Sequence, residues 1–140
     1  MQKALITLGL IAILPCFANA QSPATPPHIN ISSEIDSGYI DNPGAAKVVF
    51  KHSWKLKDTA WLQLKFGEHT NLPRGSFLRL TGSLDMVQQR HDGASLMEWN
   101  MCSAAFNGDQ IVLELIAGPN TKASRIKVQT IIRGLFNRSP

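Results

Sequence analysis

Four histidines, one serine in a small-residue setting, one cysteine past the N-terminal segment, three neighbouring acids and three tryptophans are the side chains here with chemistry to offer. His28, His52, His69 and His91 are spread along the chain, with no H-x-H or H-E-x-x-H spacing. A zinc site needs convergent ligands and usually shows a local pair, so these read as surface or turn histidines. Ser103 stands in Cys102-Ser103-Ala104-Ala105, which is neither a G-x-S-x-G elbow nor a GDSGG segment. Cys102 has no base beside it and reads as a small buried apolar residue rather than a nucleophile. Glu34, Asp36 and Asp41 lie near one turn, and clustered carboxylates suit calcium. Their spacing is not that of an EF-hand, so they are weak calcium candidates, and no other metal or cofactor is expected.

Trp54, Trp61 and Trp99 are the binding candidates, because an exposed aromatic ring on a sheet stacks against sugars or peptides. The competing expectation is that they plug the edges of the fold. Lys51 to Lys57, KHSWKLK, is the basic cluster and contains Trp54. Basic and aromatic residues interleaved in this way occur in nucleic-acid binders. On a strand, however, Lys51, Ser53, Lys55 and Lys57 fall on one face and His52, Trp54 and Leu56 on the other. A solvated strand face follows, and no nucleic-acid partner is expected.

The N-terminus predicts export. Lys3 is followed by the apolar run Ala4 to Phe17 and by Ala18-Asn19-Ala20, a small-x-small cleavage site. The run is short of the roughly 20 residues that a membrane span needs. Cleavage after Ala20 would give a secreted or periplasmic protein without a membrane anchor. It removes Lys3 and Cys16, leaving 120 residues with 13 basic and 10 acidic side chains. That length supports one domain with a real core. With Cys102 alone no internal disulfide can form, so the fold must rest on packing.

The elements that must position these side chains alternate with period two. Val48, Phe50, His52 and Trp54 share one side of their segment, Leu62, Leu64 and Phe66 of the next, and Leu78 and Leu80 of a third. LDMVQQR offers a further short strand, His91 to Gly93 a turn, and ASLMEWN either one helical turn or an irregular edge. Ile111, Leu113 and Leu115 face inward in QIVLELIAG, as do Ile126, Val128, Thr130 and Ile132 in the last segment. Asn107, Gly108 and Asp109 form a hairpin-type turn that holds register, since Asn-Gly tolerates positive φ. Short strands separated by Gly, Pro and Asn turns predict an all-β antiparallel sandwich, jelly-roll or CUB-like. The expected boundaries are a signal peptide at 1–20, an extended leader at 21–36, the sandwich at 37–136 and a tail at 137–140.

The run from Ala60 to Gly118 resembles the non-catalytic module ahead of the protease domain in secreted bacterial trypsin-like serine proteases. The resemblance rests on Trp61-Leu62-Gln63-Leu64-Lys65-Phe66, Gly75-Ser76-Phe77-Leu78-Arg79-Leu80-Thr81, Asp85, Trp99, Ser103 to Asp109 and Ala117-Gly118-Pro119. Gly82 stands where that family commonly has serine. The sequence ends at Pro140, about where the protease domain would begin, so no catalytic residue carries over. The resemblance implies a stand-alone accessory domain or a truncated or split gene. The resulting expectation is a secreted, non-catalytic binding or accessory module for a protein or a surface glycan. The alternative is a small secreted hydrolase with its site in the loops at one end, using His69 or His91.

Overall fold

The computed structural model describes residues 25–137. The expected signal peptide lies outside the described residues, as do residues 21–24 and 138–140. The strands are β1 (His28–Ser32), β2 (Ile40–Asn42), β3 (Lys47–Lys55), β4 (Trp61–Phe66), β5 (Phe77–Gly82), β6 (Gln88–His91), β7 (Phe106–Asn107), β8 (Gln110–Ala117), β9 (Thr121–Ser124) and β10 (Val128–Gly134), with one helix, α1 (Gly93–Glu98).

Every strand pair is antiparallel. Sheet one runs β1-β10-β4-β7, sheet two runs β3-β8-β5-β6, and β2 and β9 form a separate ribbon. Alternation sorts the side chains. Leu62, Leu64 and Phe66 of β4, with Ile131 and Val128 of β10, meet Trp54, Leu78, Leu80, Ile111, Leu113 and Leu115 of sheet two in one core. Fully burying each such side chain stabilises by about 1.5–3 kcal/mol. The chain is an all-β antiparallel sandwich.

Five departures from the expected pattern have local causes. Thr130 and Ile132 do not share the inward face of Val128, because a bulge between Val128 and Thr130 turns them outward and brings Ile131 into the core. Val48 does not share a face with Phe50. A bulge lies between them, Val48 faces outward opposite Ile116, and Phe50 faces inward opposite Leu115. The sandwich begins before residue 37, because His28–Ser32 is an edge strand of sheet one paired along its length with β10. SGYIDNPG is not turn alone, since Ile40–Asn42 pairs with β9. Asn42 is buried and its amide donates to the carbonyls of Ala45, Ala117 and Gly118. Finally, LDMV is a turn with Leu84, Met86 and Val87 exposed, and the strand starts at Gln88.

The Asn107-Gly108-Asp109 turn does not close a hairpin. β7 pairs with β4 in sheet one, whereas β8 lies between β3 and β5 in sheet two, so the turn carries the chain across the sandwich. Gly108 has φ +97°, and Leu84 lies so close that a side chain there would meet its Cβ at 2.9 Å. Its amide donates to Ala60, and Asp109 accepts from Leu56, each at 2.8 Å. These bonds hold the strand ends together.

ASLMEWN forms the helical turn. Asp92 caps α1, its carboxylate accepting from the Ser95 amide at 2.9 Å. Leu96 alone of the helix is buried.

Candidate functional site

The three tryptophans occupy three different places. Trp54 lies on the inner face of β3, 8 % exposed, with its ring edge-on to His52. It is core and can touch no ligand. Trp99 follows α1, half exposed, with its ring edge-on to His91 at 5.4 Å. Trp61 points outward from β4, directly opposite Gly134 of β10. The flat aromatic and basic face that would unite Trp54, Trp61 and the Lys51–Lys57 strand does not exist. Trp54 is inside, and Trp61 and the lysines belong to different sheets.

Trp61 has the most defined geometry. A Cβ built on Gly134 would fall inside the ring atoms Cε2, Nε1 and Cδ1, at nearly the same distance from each. These three atoms belong to the five-membered ring, so the direction leaving the sheet at Gly134 enters that ring close to its centre. The indole therefore lies flat across β10. One face covers the Gly134 backbone, and the residue as a whole is partly exposed. Its half-buried state agrees with one covered face. Gly134 supplies the space that any side chain would fill.

Register defines what surrounds the ring. His28, Gly134, Trp61 and Asn107 form one outward row across four strands. The next row is Asn30, Ile132 and Gln63, and the third is Ser32, Thr130 and Lys65. Rows follow at about 6.7 Å along the strands. His28 sits 6.4 Å from the indole, tilted by 42°. Its Nδ1 lies 2.9 Å from the Pro26 carbonyl. A carbonyl only accepts, so Nδ1 carries a proton in this contact. Gln63 donates to the Ser103 carbonyl at 2.7 Å, which leaves its own carbonyl oxygen available. Asn30 and Asn107 are exposed. Trp61 is thus a flat apolar plate edged by amide and imidazole groups.

The histidines, the serine and the cysteine do not assemble a reactive centre. Ser103 is fully buried, and its hydroxyl accepts from the Leu64 amide at 2.9 Å and donates to the Ala104 carbonyl at 2.7 Å. Both roles of the oxygen are spent on holding the strand segment beside β4. Cys102 is half-buried and unpaired. His69 is exposed and lines a shallow recess of about 240 Å³ with Gly67, Glu68, Lys127 and Gln129.

His91 is not a surface or turn histidine. It ends β6 on the inward side, 2 % exposed, with Nδ1 2.8 Å from Ser95 Oγ. Burial holds its pKa below the ordinary imidazole range, with Asp92 pulling the other way. Nε2 has no partner among the described residues. Among the described residues no carboxylate is bonded to the ring, so the pair has no third group there to orient a catalytic base.

The weak calcium candidates are likewise engaged or apart. Asp36 takes a two-pronged contact from Arg125, Nε at 2.9 Å and Nη2 at 2.6 Å, which holds its carboxyl well below the usual range. Arg125 also lies over the Tyr39 ring. Asp41 accepts from the Ala123 amide, and Glu34 is exposed. Among the described residues no three His, Cys, Asp or Glu side chains gather in a way that could hold a metal ion. No helix among them is long and apolar enough to cross a membrane.

Trp61 was visible in the sequence, but the residues that shape its setting were not. Gly134 was the available signal, since a glycine inside a strand marks a close approach. His28 and Asn30 lie in what reads as a leader, with nothing to announce their strand. No known family, no curated protein and no solved structure matches this chain.

Proposed function

We propose that the protein is an exported, non-catalytic binding module that holds a glycan by stacking a sugar ring on Trp61. The observation that carries this is the indole laid against Gly134 on the outer face of sheet one, only partly buried. A pyranose presents a face of C–H groups that packs on an aromatic plate, while its hydroxyls project around the rim. His28 Nε2 and the amides of Asn30, Gln63 and Asn107 would receive those hydroxyls. The plate is held by the backbone beneath it, so little ordering entropy opposes binding. A single plate makes each sugar contact weak, and a polymer with repeated sugars would gain by rebinding.

The resemblance to the module preceding trypsin-like protease domains gives a context, in which the sandwich tethers a protease or its product to a glycan surface. The hydrolase alternative has only the His91–Ser95 contact in its favour, and His91 is buried within the protein.

The test is a panel of neutral polysaccharides, β-glucan, xylan, mannan and galactan, presented to the purified protein. Retention by at least one of them, released by its free oligosaccharide and without cleavage, is the expected result. Release of new reducing ends, or no retention by any member, would refute the reading.

A further inference from the structure

The outer face of sheet two, on the far side of the sandwich from Trp61, carries a row of charge. Register places Lys51 of β3, Glu114 of β8, Arg79 of β5 and Arg90 of β6 side by side. Adjacent strands stand about 4.8 Å apart, so the row spans roughly 14 Å. Lys55 continues the same face of β3, four residues or about 13 Å along the strand from Lys51. The acid in this row is already engaged. Glu114 accepts from Arg79 Nε at 2.7 Å and stands 3.8 Å from Lys51 Nζ. The Arg79 bond keeps it ionised.

Arg79 and Arg90 are directly opposed on neighbouring strands. Like charges in that position repel and destabilise a sheet. Glu114 relieves Arg79 from one side only. Arg90 has no acidic partner among the described residues; its guanidinium lies over the Phe77 ring at 3.4 Å from the centroid. Stacking fixes the plane of the guanidinium and leaves its N–H edges for a ligand. An incoming carboxylate between or beside the two arginines would remove the repulsion that the fold leaves in place.

We propose that this face is a second binding site, for an acidic polysaccharide that carries uronate carboxylates. Three observations select that class. The row lies on an outer sheet face with Lys51 and Arg90 exposed and lines none of the recesses around His69, Ala104, Leu96 or Asn120, a setting in which an extended chain can lie across the strands. Phe77 is covered by Arg90, so no nucleobase can stack on it. The planar fork of a guanidinium fits the two oxygens of a carboxylate, and the row offers separated cations rather than a dense cluster. The site is independent of Trp61.

The experiment measures binding of the purified protein to polygalacturonate at low and at 0.5 M salt, beside heparin, poly-glutamate and a neutral glucan. Polygalacturonate binding that salt weakens is expected. Arg90→Ala should lower it at least tenfold, and Arg90→Lys, which keeps the charge without the fork, by severalfold. Trp61→Ala should leave the salt-sensitive part of that binding in place, which separates this site from the other. Circular dichroism and thermal midpoints of the variants verify folding, and Lys55→Ala gives a second reading at an exposed position. Binding to heparin alone, equal binding to poly-glutamate, no binding to polygalacturonate, or indifference to Arg90→Ala in a folded variant would each overturn the proposal.

Discussion

The five-membered ring of Trp61 lies face down on the backbone of Gly134, its opposite number on the neighbouring strand. The contact serves structure, because the indole covers a glycine that would otherwise leave a strand thinly packed. The same contact fixes the ring on the outer side of the sheet, where it stays partly exposed. Gly134→Ala tests it directly. The new methyl would enter the ring, and the indole would have to lift or tilt. A loss of about 1–3 kcal/mol in denaturant unfolding is expected, with a red shift in tryptophan emission. Wild-type stability and emission in this variant would mean that the ring does not rest there.

Ser103 is a structural residue. Its hydroxyl joins the Leu64 amide to the Ala104 carbonyl in a fully buried place. Ser103→Ala leaves that amide without its partner and should cost about 1–3 kcal/mol in urea unfolding. A Ser103→Ala protein of unaltered stability would contradict the assignment.

His91 sets a pH dependence. Its folded pKa is depressed by burial, whereas the unfolded side chain titrates near 6.5. The unfolded state therefore binds the extra proton first, and stability rises with pH through this window. The contribution is complete above pH ~6.5 and is lost as pH falls through the lower folded value. Asp92, Ser95 and Trp99 face this ring and would feel its charge. His91→Leu should flatten the slope of the thermal midpoint between pH ~6.5 and ~5. An unchanged slope in His91→Leu would assign it to another group.

Asp36 predicts behaviour at lower pH and with metals. Its carboxyl is depressed by Arg125, so the stability it adds is present above the ordinary carboxylate range near pH 4 and fades as pH falls toward the folded value. The pair is partly open to solvent, so the effect is modest and screened by salt. Because Arg125 occupies both carboxylate oxygens, excess calcium or its chelation should leave the melting temperature unchanged. A calcium-dependent rise of several degrees would show that Asp36 exchanges Arg125 for the ion.

Alternation revealed the two-layer plan, and physical reasons explain where reading ended. Leu62-x-Leu64-x-Phe66 and Ile111-x-Leu113-x-Leu115 announce their inward faces because one side of each strand is core. β6 carries Gln88, Gln89, Arg90 and His91, whose inward residues are polar, so no apolar pattern marks it. Gln89 is kept by a bond from the Ala104 amide, and His91 by Ser95. Arg90 could not be placed on the charged row until β6 was. The bulge beyond Val48 reverses a face that strict alternation assigns the other way. β1 lies among prolines and polar residues, and only its pairing with β10 shows it to be a strand. Composition marks the residues, but the platform and the charged row arise from cross-strand register, which one strand's sequence does not contain.

The decisive measurement is the dissociation constant, by isothermal titration, of the soluble oligosaccharide from whichever neutral polysaccharide retains the wild-type protein. Trp61→Ala should weaken it at least tenfold with the fold intact by circular dichroism, and Trp99→Ala should leave it unchanged. Undiminished affinity in folded Trp61→Ala would contradict the central claim.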